Sequence, residues 1–426
     1  MSYWTDKPAS AENLRLFVRN RGWVQYNDEV GEEGKIANHG CKQAVENAFL
    51  DGLSAANVSV LTGAGSSLSA SNKETNKCAP TMAALWAAVK ENVTELVFEE
   101  ICAKFPKGSI GSNIERLLTL CKLHIELNGE TIASEKDGDA PKSDVADFVE
   151  KAEREIASRV DFVSSMTALP SHISLVRKLG RRGLRKPRAK IFTTNYDLCF
   201  EEAARRLSFV AIDGFSHSLT QIYDRAYFDY DIVRRGSGSG SEVPNYIENV
   251  FQIYKLHGSI DWRRVGANLV RSMDPGKLPV LIYPRSSKYQ ESFEPPYLDM
   301  ISAFQVALRE PDATLIVSGF GFNDDHLSRP IMAAVESNLS LRLIVCDPVF
   351  IADEKLEVGE PEIAVDSTRG NQFHRLLTRL VEDGDPRIHL INGRFNDLAE
   401  ALPDLVGETD RERHEARIKA TRLAVK

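Results

Sequence analysis

The chain has 426 residues, enough for two modest domains or for one large core carrying an insertion. Hydrophobic residues make up 42% and charged residues 27%, a globular balance that excludes wholesale disorder. The formal charge of −8 argues against broad electrostatic capture of nucleic acid, so contact with it is expected only indirectly.

Six scattered cysteines form no C-x-x-C pair. That pattern excludes a standard zinc ribbon and supplies no disulfide framework, so no metal site is expected and a reducing cytoplasm is the expected location. The opening Met1-Ser2-Tyr3-Trp4-Thr5-Asp6 has neither a basic nor an apolar signal region, and no run of about eighteen apolar residues follows. Neither a secretion signal nor a membrane span is expected.

In chain order, apolar runs predict strands at about 58–62, 189–194, 209–212, 251–256, 279–283, 313–318, 341–346 and 387–391. Runs such as Thr314-Leu315-Ile316-Val317-Ser318 and Leu341-Arg342-Leu343-Ile344-Val345 are continuous rather than alternating. That suits parallel strands covered on both faces. Helical patterns follow several of them; Asp324 or Asp325 would cap a helix whose Leu327, Ile331 and Val335 recur every four residues. The expected fold is α/β, a Rossmann-like doubly wound parallel sheet.

Residues 82–185 break the rhythm and read as a large helical insertion between the first and second core strands. Its helices are expected over Met82 to Phe105, Ile110 to Leu127, Ser143 to Ala168 and His172 to Leu179, with a polar loop from Asn128 to Pro141. The organisation is therefore 1–81 as the N-terminal segment and first part of the Rossmann-like domain, 82–185 as the insertion, 186–406 as the remainder, and 407–426 as a charged tail or helix. Arg235-Gly236-Ser237-Gly238-Ser239-Gly240-Ser241 reads as a flexible surface loop. The basic run from Arg177 to Lys190 lacks aromatic residues and reads as a solvated connector before it reads as a nucleic-acid surface.

The chemistry concentrates where strands end. Val58-Ser59-Val60-Leu61-Thr62 runs into Gly63-Ala64-Gly65-Ser66-Ser67. Small residues there let backbone N–H groups approach a pyrophosphate, and the two serines add hydroxyls. Alone the loop equally describes any glycine turn after a strand. Three further junctions follow the same plan: Thr193-Thr194-Asn195-Tyr196-Asp197, Leu256-His257-Gly258-Ser259 and Ser318-Gly319-Phe320-Gly321-Phe322-Asn323-Asp324. Each delivers polar or small residues to a strand's carboxyl end, where open α/β sheets bind ligands. Taken singly, T-N-x-D is an Asx-turn, a strand-end histidine is a structural residue, and Asp347 before Pro348 is a turn residue.

In this order, Gly63-Ala64-Gly65-Ser66-Ser67, Thr194-Asn195-Tyr196-Asp197 and His257-Gly258 resemble the sirtuin superfamily. The protein-deacylating members carry a G-I-P-D-F-R segment and four zinc-binding cysteines, and this chain carries neither. It continues instead through Ala79-Pro80-Thr81-Met82-Ala83-Ala84-Leu85-Trp86 into helix. In this it looks like the divergent bacterial sirtuin-like domains of antiphage defence, over roughly 40–100 and 186–350, with the last strand–helix unit through Leu405.

That resemblance implies an NAD glycohydrolase, cleaving NAD as substrate to nicotinamide and ADP-ribose and depleting it during abortive infection. It also implies a homo-oligomer, with a HerA-type hexameric ATPase as candidate partner. Asn195 and His257 would be catalytic, the first positioning the ribose or attacking water, the second acting on either as a general base. Gly63, Ala64, Gly65, Ser66, Ser67, Thr194, Asp197, Gly319, Phe320, Gly321 and Asp347 would bind the dinucleotide. Asp197 would serve the nicotinamide side or orient its neighbours, and Asp347 would meet a ribose hydroxyl. Asn113-Ile114-Glu115 is similar to a helical motif of these domains and is assigned to packing. The competing readings are an NAD-dependent protein deacylase and a non-catalytic NAD-sensing scaffold for an ATPase.

Overall fold

The computed structural model describes residues 3–5, 7–31, 35–106, 108–128, 144–183, 186–235, 245–274, 276–281 and 295–404. The expected loop at 128–141, the Gly/Ser segment after Arg235 and the 407–426 tail fall almost wholly outside them. A ten-stranded sheet runs, edge to edge, through Glu362–Ile363, Gly22–Gln25, Arg15–Val18, Ile388–Asn392, Arg342–Cys346, Ala313–Ser318, Asn57–Thr62, Lys190–Thr193, Val250–Lys255 and Val210–Ile212. From Ile388–Asn392 to Val210–Ile212 every neighbouring pair is parallel. The first three strands join by antiparallel pairing. The fold is the expected Rossmann-like α/β arrangement, widened by an antiparallel edge.

Strand periodicity explains how one sheet supports two cores. Leu315 and Val317 enter the cluster on one face, while Ile316 between them enters the other; Leu343, Val345 and Ile344 divide the same way. The first face is covered by the helices Tyr297–Arg309, Asp325–Ser337 and Gln372–Asp383. The second is covered by Lys42–Ser54, Pro170–Gly180, Cys199–Leu207 and Phe395–Ala401. Leu327, Ile331 and Val335 are buried on the first face, as their spacing predicts.

Four helices build a third apolar cluster beyond the sheet: Met82–Val93, Glu95–Ala103, Ile114–Leu127 and Asp144–Val160. Thr81 caps the first by accepting from the Ala84 N–H at 3.1 Å, and Asn113 caps the third from Arg116 at 3.0 Å. The helix expected from Met82 to Phe105 is split at Thr94, whose φ is +73°. The bend turns Phe98 back onto Trp86, ring centroids 4.8 Å apart and edge-on, so both halves share one core. Tyr196, Ile260 and Leu281 from the sheet side join this cluster and tie it to the strand ends.

Three local departures have physical causes. The strand expected at 279–283 is reduced to one bridge, Leu281 to Gly258, because Pro279 has no N–H and Val280 bonds to Trp262 instead; 282 and 283 lie outside the described residues. The hairpin of Arg15–Val18 and Gly22–Gln25 has no counterpart among the expected strands. Its turn is charged, and it closes on Asn20 and Gly22, both at positive φ. The first part of the basic run is not solvated either: Lys178 Nζ donates to the Ala399 carbonyl at 2.6 Å, Arg181 pairs with Asp404 at 2.7 Å, and Arg182 donates to the Ala55 and Ala56 carbonyls, while Lys186 is exposed. These cations pin the end of Pro170–Gly180 to the core; Leu184 and Arg185 lie outside the described residues.

Candidate active site

The parallel strands reverse their order of addition at Asn57–Thr62 and Ala313–Ser318: the chain first builds outward to Lys190–Thr193 and beyond, then to Arg342–Cys346 on the other side. Such a switch point opens a crevice at the carboxyl ends. A cavity of about 430 Å³ occupies it. Five successive strand ends deliver its wall: Gly63, Ala64, Gly65 and Ser67; Thr194 to Asp197; His257; Gly319 to Gly321; and Asp347. The helical layer supplies Met82, Leu85, Glu115 and Val160. All the expected site residues except Ser66 line this one cavity, and Ser66 is fully buried directly beneath it.

The glycine loop is held by its opposite number. The Gly65 N–H donates to the Gly319 carbonyl at 2.9 Å and the Ser66 N–H to Gly63 at 2.9 Å, so these two amides are used within the protein. Gly319 sits at φ +71°, and a Cβ there would lie 2.4 Å from the Ser66 nitrogen. Glycine is therefore required first for two loops to touch, and only the remaining loop surface is available to a phosphate. Phe320 and Phe322 anchor the second loop in the core, and Asn371 Nδ2 pins it through the Gly321 and Phe322 carbonyls at 3.0 and 2.8 Å.

A hydrogen-bonded chain orients Asn195. Its Nδ2 donates to Ser66 Oγ at 3.1 Å and to Ser67 Oγ at 2.8 Å. Ser67 Oγ in turn donates to Asp197 Oδ2 at 2.8 Å, and Asp197 Oδ1 accepts from the Cys199 N–H at 3.0 Å. Lys255 Nζ donates to the Asp197 carbonyl. With both Nδ2 protons directed to serines, Asn195 offers its amide oxygen as an acceptor. Asp197 has both carboxylate oxygens committed, so its place is behind Asn195 and Ser67, orienting them. Asp347 combines two positions, lining the cavity while Oδ1 accepts from the Val349 N–H at 2.8 Å in the turn that follows.

His257 is buried, with Nε2 3.4 Å from His326 Nε2 and 3.9 Å from Asp324 Oδ2. Burial pushes His257 down to about 3. Burial also lowers His326 to about 4, with His257 adding to the effect and Asp324 and Asp325 opposing it. His257 is thus neutral throughout the physiological range, a hydrogen-bonding partner more than a strong base. Glu115 behaves oppositely: burial first, then the Asp324 carboxylate, raises it to about 7, although the Tyr196 hydroxyl donates to its Oε1 at 2.7 Å. It exchanges a proton near neutral pH.

Glu115 is the site residue that sequence reasoning set aside as packing. Its neighbour Ile114 does pack, fully buried in the helical layer. An acid in the first turn of a helix is the ordinary residue there, so its spacing carried no sign of a cavity position. All six cysteines are free and none adjoins another as a ligand set; among the described residues the group with metal-binding geometry is His257, Asp324 and His326.

Residues 189–348 match the family model described as SIR2-like domain. No curated protein matches the chain. The matched segment begins at the strand Lys190–Thr193 and closes just after Asp347, so it spans Asn195, His257 and the Gly319 loop but neither Gly63–Ser67 nor the helical layer. The match supports a sirtuin-like family for that segment and suggests NAD-related activity. Among the described residues no helix is long and apolar enough to cross a membrane.

Proposed function

We propose that this protein is an NAD glycohydrolase. The supporting observation is the convergence of Asn195, His257 and Glu115 on one cavity beside the Gly63 and Gly319 loops, with Asn195, His257 and the Gly319 loop inside the segment that matches a SIR2-like domain. At about 430 Å³ the cavity lies within the range of roughly 300–1,000 Å³ typical of ligand sites.

In the reaction, the bond between the nicotinamide nitrogen and the ribose anomeric carbon breaks with its electron pair leaving on nicotinamide. A water oxygen bonds to the same carbon and gives up a proton. The Asn195 amide oxygen, fixed by Ser66 and Ser67, accepts from that water or from a ribose hydroxyl. Neutral His257 holds a ribose hydroxyl, and Glu115 takes the proton. The loops at Gly63 and Gly319 hold the pyrophosphate and adenosine half. Met82, Leu85 and Val160 exclude bulk water from the oxocarbenium-like centre.

The biological reading follows from the same resemblance: depletion of NAD in bacterial antiphage defence, by a homo-oligomer working with a HerA-type ATPase. Incubating the full chain with NAD and an acylated peptide separates hydrolysis from deacylation. Free ADP-ribose with the peptide mass unchanged is the expected result; deacylated peptide with an acylated ADP-ribose would overturn it.

A further inference from the structure

We propose that His257, Asp324 and His326 form a binding site for a divalent metal of the zinc class, in which the ion takes His257 Nε2, the nitrogen that faces His326 and Asp324. The three donor atoms, one from each side chain, lie within 4.8 Å of one another. Their source is the fold: His257 follows the strand Val250–Lys255, while Asp324 and His326 flank the start of the helix Asp325–Ser337 after the strand Ala313–Ser318. No cysteine is involved, so the absence of C-x-x-C pairs does not bear on it.

The spacing is that of a tetrahedral centre. With zinc–nitrogen bonds of about 2.0–2.1 Å, two nitrogen ligands sit about 3.4 Å apart. His257 Nε2 and His326 Nε2 are 3.4 Å apart. Without an ion, only one of these facing nitrogens can donate a proton, and the contact is a long hydrogen bond. With an ion, both lone pairs point at it. Asp324 Oδ2 lies 3.9 Å from His257 Nε2 and all three donors lie within 4.8 Å of one another, so the carboxylate completes the triad by moving inward.

Asp324 is free to make that shift. It occupies the N-cap position of Asp325–Ser337, where an aspartate ordinarily accepts a backbone N–H, yet its side chain makes no capping bond. Its carboxylate is directed to the histidines instead. Three protein ligands leave a fourth position for water, as zinc sites with an open face do.

The functional consequence rests on the glycohydrolase reading. His257 cannot give one lone pair both to a metal and to the ribose, so metal occupancy and turnover exclude each other. Zinc is then a reversible inhibitor acting at the site itself. The binding claim stands independently of that reading, and cobalt(II) tests it directly.

The experiment titrates cobalt(II) into the metal-free full chain and follows the visible ligand-field absorption of a four- or five-coordinate site. Parallel titrations use His326→Ala and Asp324→Asn, each checked for folding by circular dichroism. One equivalent of cobalt, displaced by zinc and bound at least about tenfold more weakly by both variants, is the expected result. NAD turnover is measured in the same samples, where zinc should inhibit the wild type and lose potency at least tenfold against His326→Ala. No stoichiometric absorption, or absorption unchanged in both variants, overturns the site whatever the turnover. Stoichiometric binding lost in the variants establishes it even if no sample cleaves NAD, an outcome that would overturn the glycohydrolase reading alone.

Discussion

Glu115→Gln tests the electrostatics of the cavity without changing its volume. The glutamine oxygen still accepts from the Tyr196 hydroxyl, so the substitution removes mainly an ionisation. In the folded chain Glu115 is raised from 4.5 to about 7, by burial and then by Asp324. A carboxyl with a raised folded pKa binds its proton more tightly folded than unfolded, so its contribution favours folding at low pH. That contribution is lost as pH rises from about 4.5 through 7. The shift corresponds to at most about 3.4 kcal/mol at about 1.36 kcal/mol per unit, and access of water through the cavity brings the expected effect to about 1–3 kcal/mol. Urea unfolding of both proteins at pH 5 and pH 8 measures it. The variant should gain that amount on the wild type between the two values. Parallel pH profiles would show that Glu115 titrates as an exposed glutamate, and the proton-accepting role given to it would fail with them.

Gly319→Ala places a Cβ 2.4 Å from the Ser66 nitrogen at a positive φ, and should cost about 2–5 kcal/mol together with NAD binding, read by thermal melting and calorimetry. Ser67→Ala unlinks Asn195 from Asp197 while leaving both in place, so kcat should fall about tenfold with KM changed far less, measured in steady-state assays of NAD loss.

The parts of this molecule that were legible in its sequence are those where one physical demand dominates. Leu315–Val317 and Leu343–Val345 are continuous apolar runs because both sheet faces are covered, and they form central strands. The Gly63, Asn195, His257 and Gly319 segments were legible because each sits at the carboxyl end of such a strand, and all four meet at one cavity. What escaped depended on partners remote in sequence. Arg15–Val18 and Gly22–Gln25 are short and charged at their turn, and they become strands by pairing with Ile388–Asn392 and Glu362–Ile363. His326 stands beside two aspartates as an ordinary polar helix start, until the sheet brings it 3.4 Å from His257. The basic run looked solvated because carbonyl acceptors such as Ala399 are invisible to a charge count.

Hydrolysis of NAD in this cavity is read from a time course of NAD, nicotinamide and ADP-ribose with wild type and Asn195→Ala, each alone and with the candidate ATPase. Equimolar nicotinamide and ADP-ribose are expected from the wild type, with a loss of at least about a hundredfold in Asn195→Ala, whose Ser66 and Ser67 contacts position the acceptor. Saturable NAD binding with no product in any sample, or undiminished cleavage by Asn195→Ala, would contradict hydrolysis in this cavity.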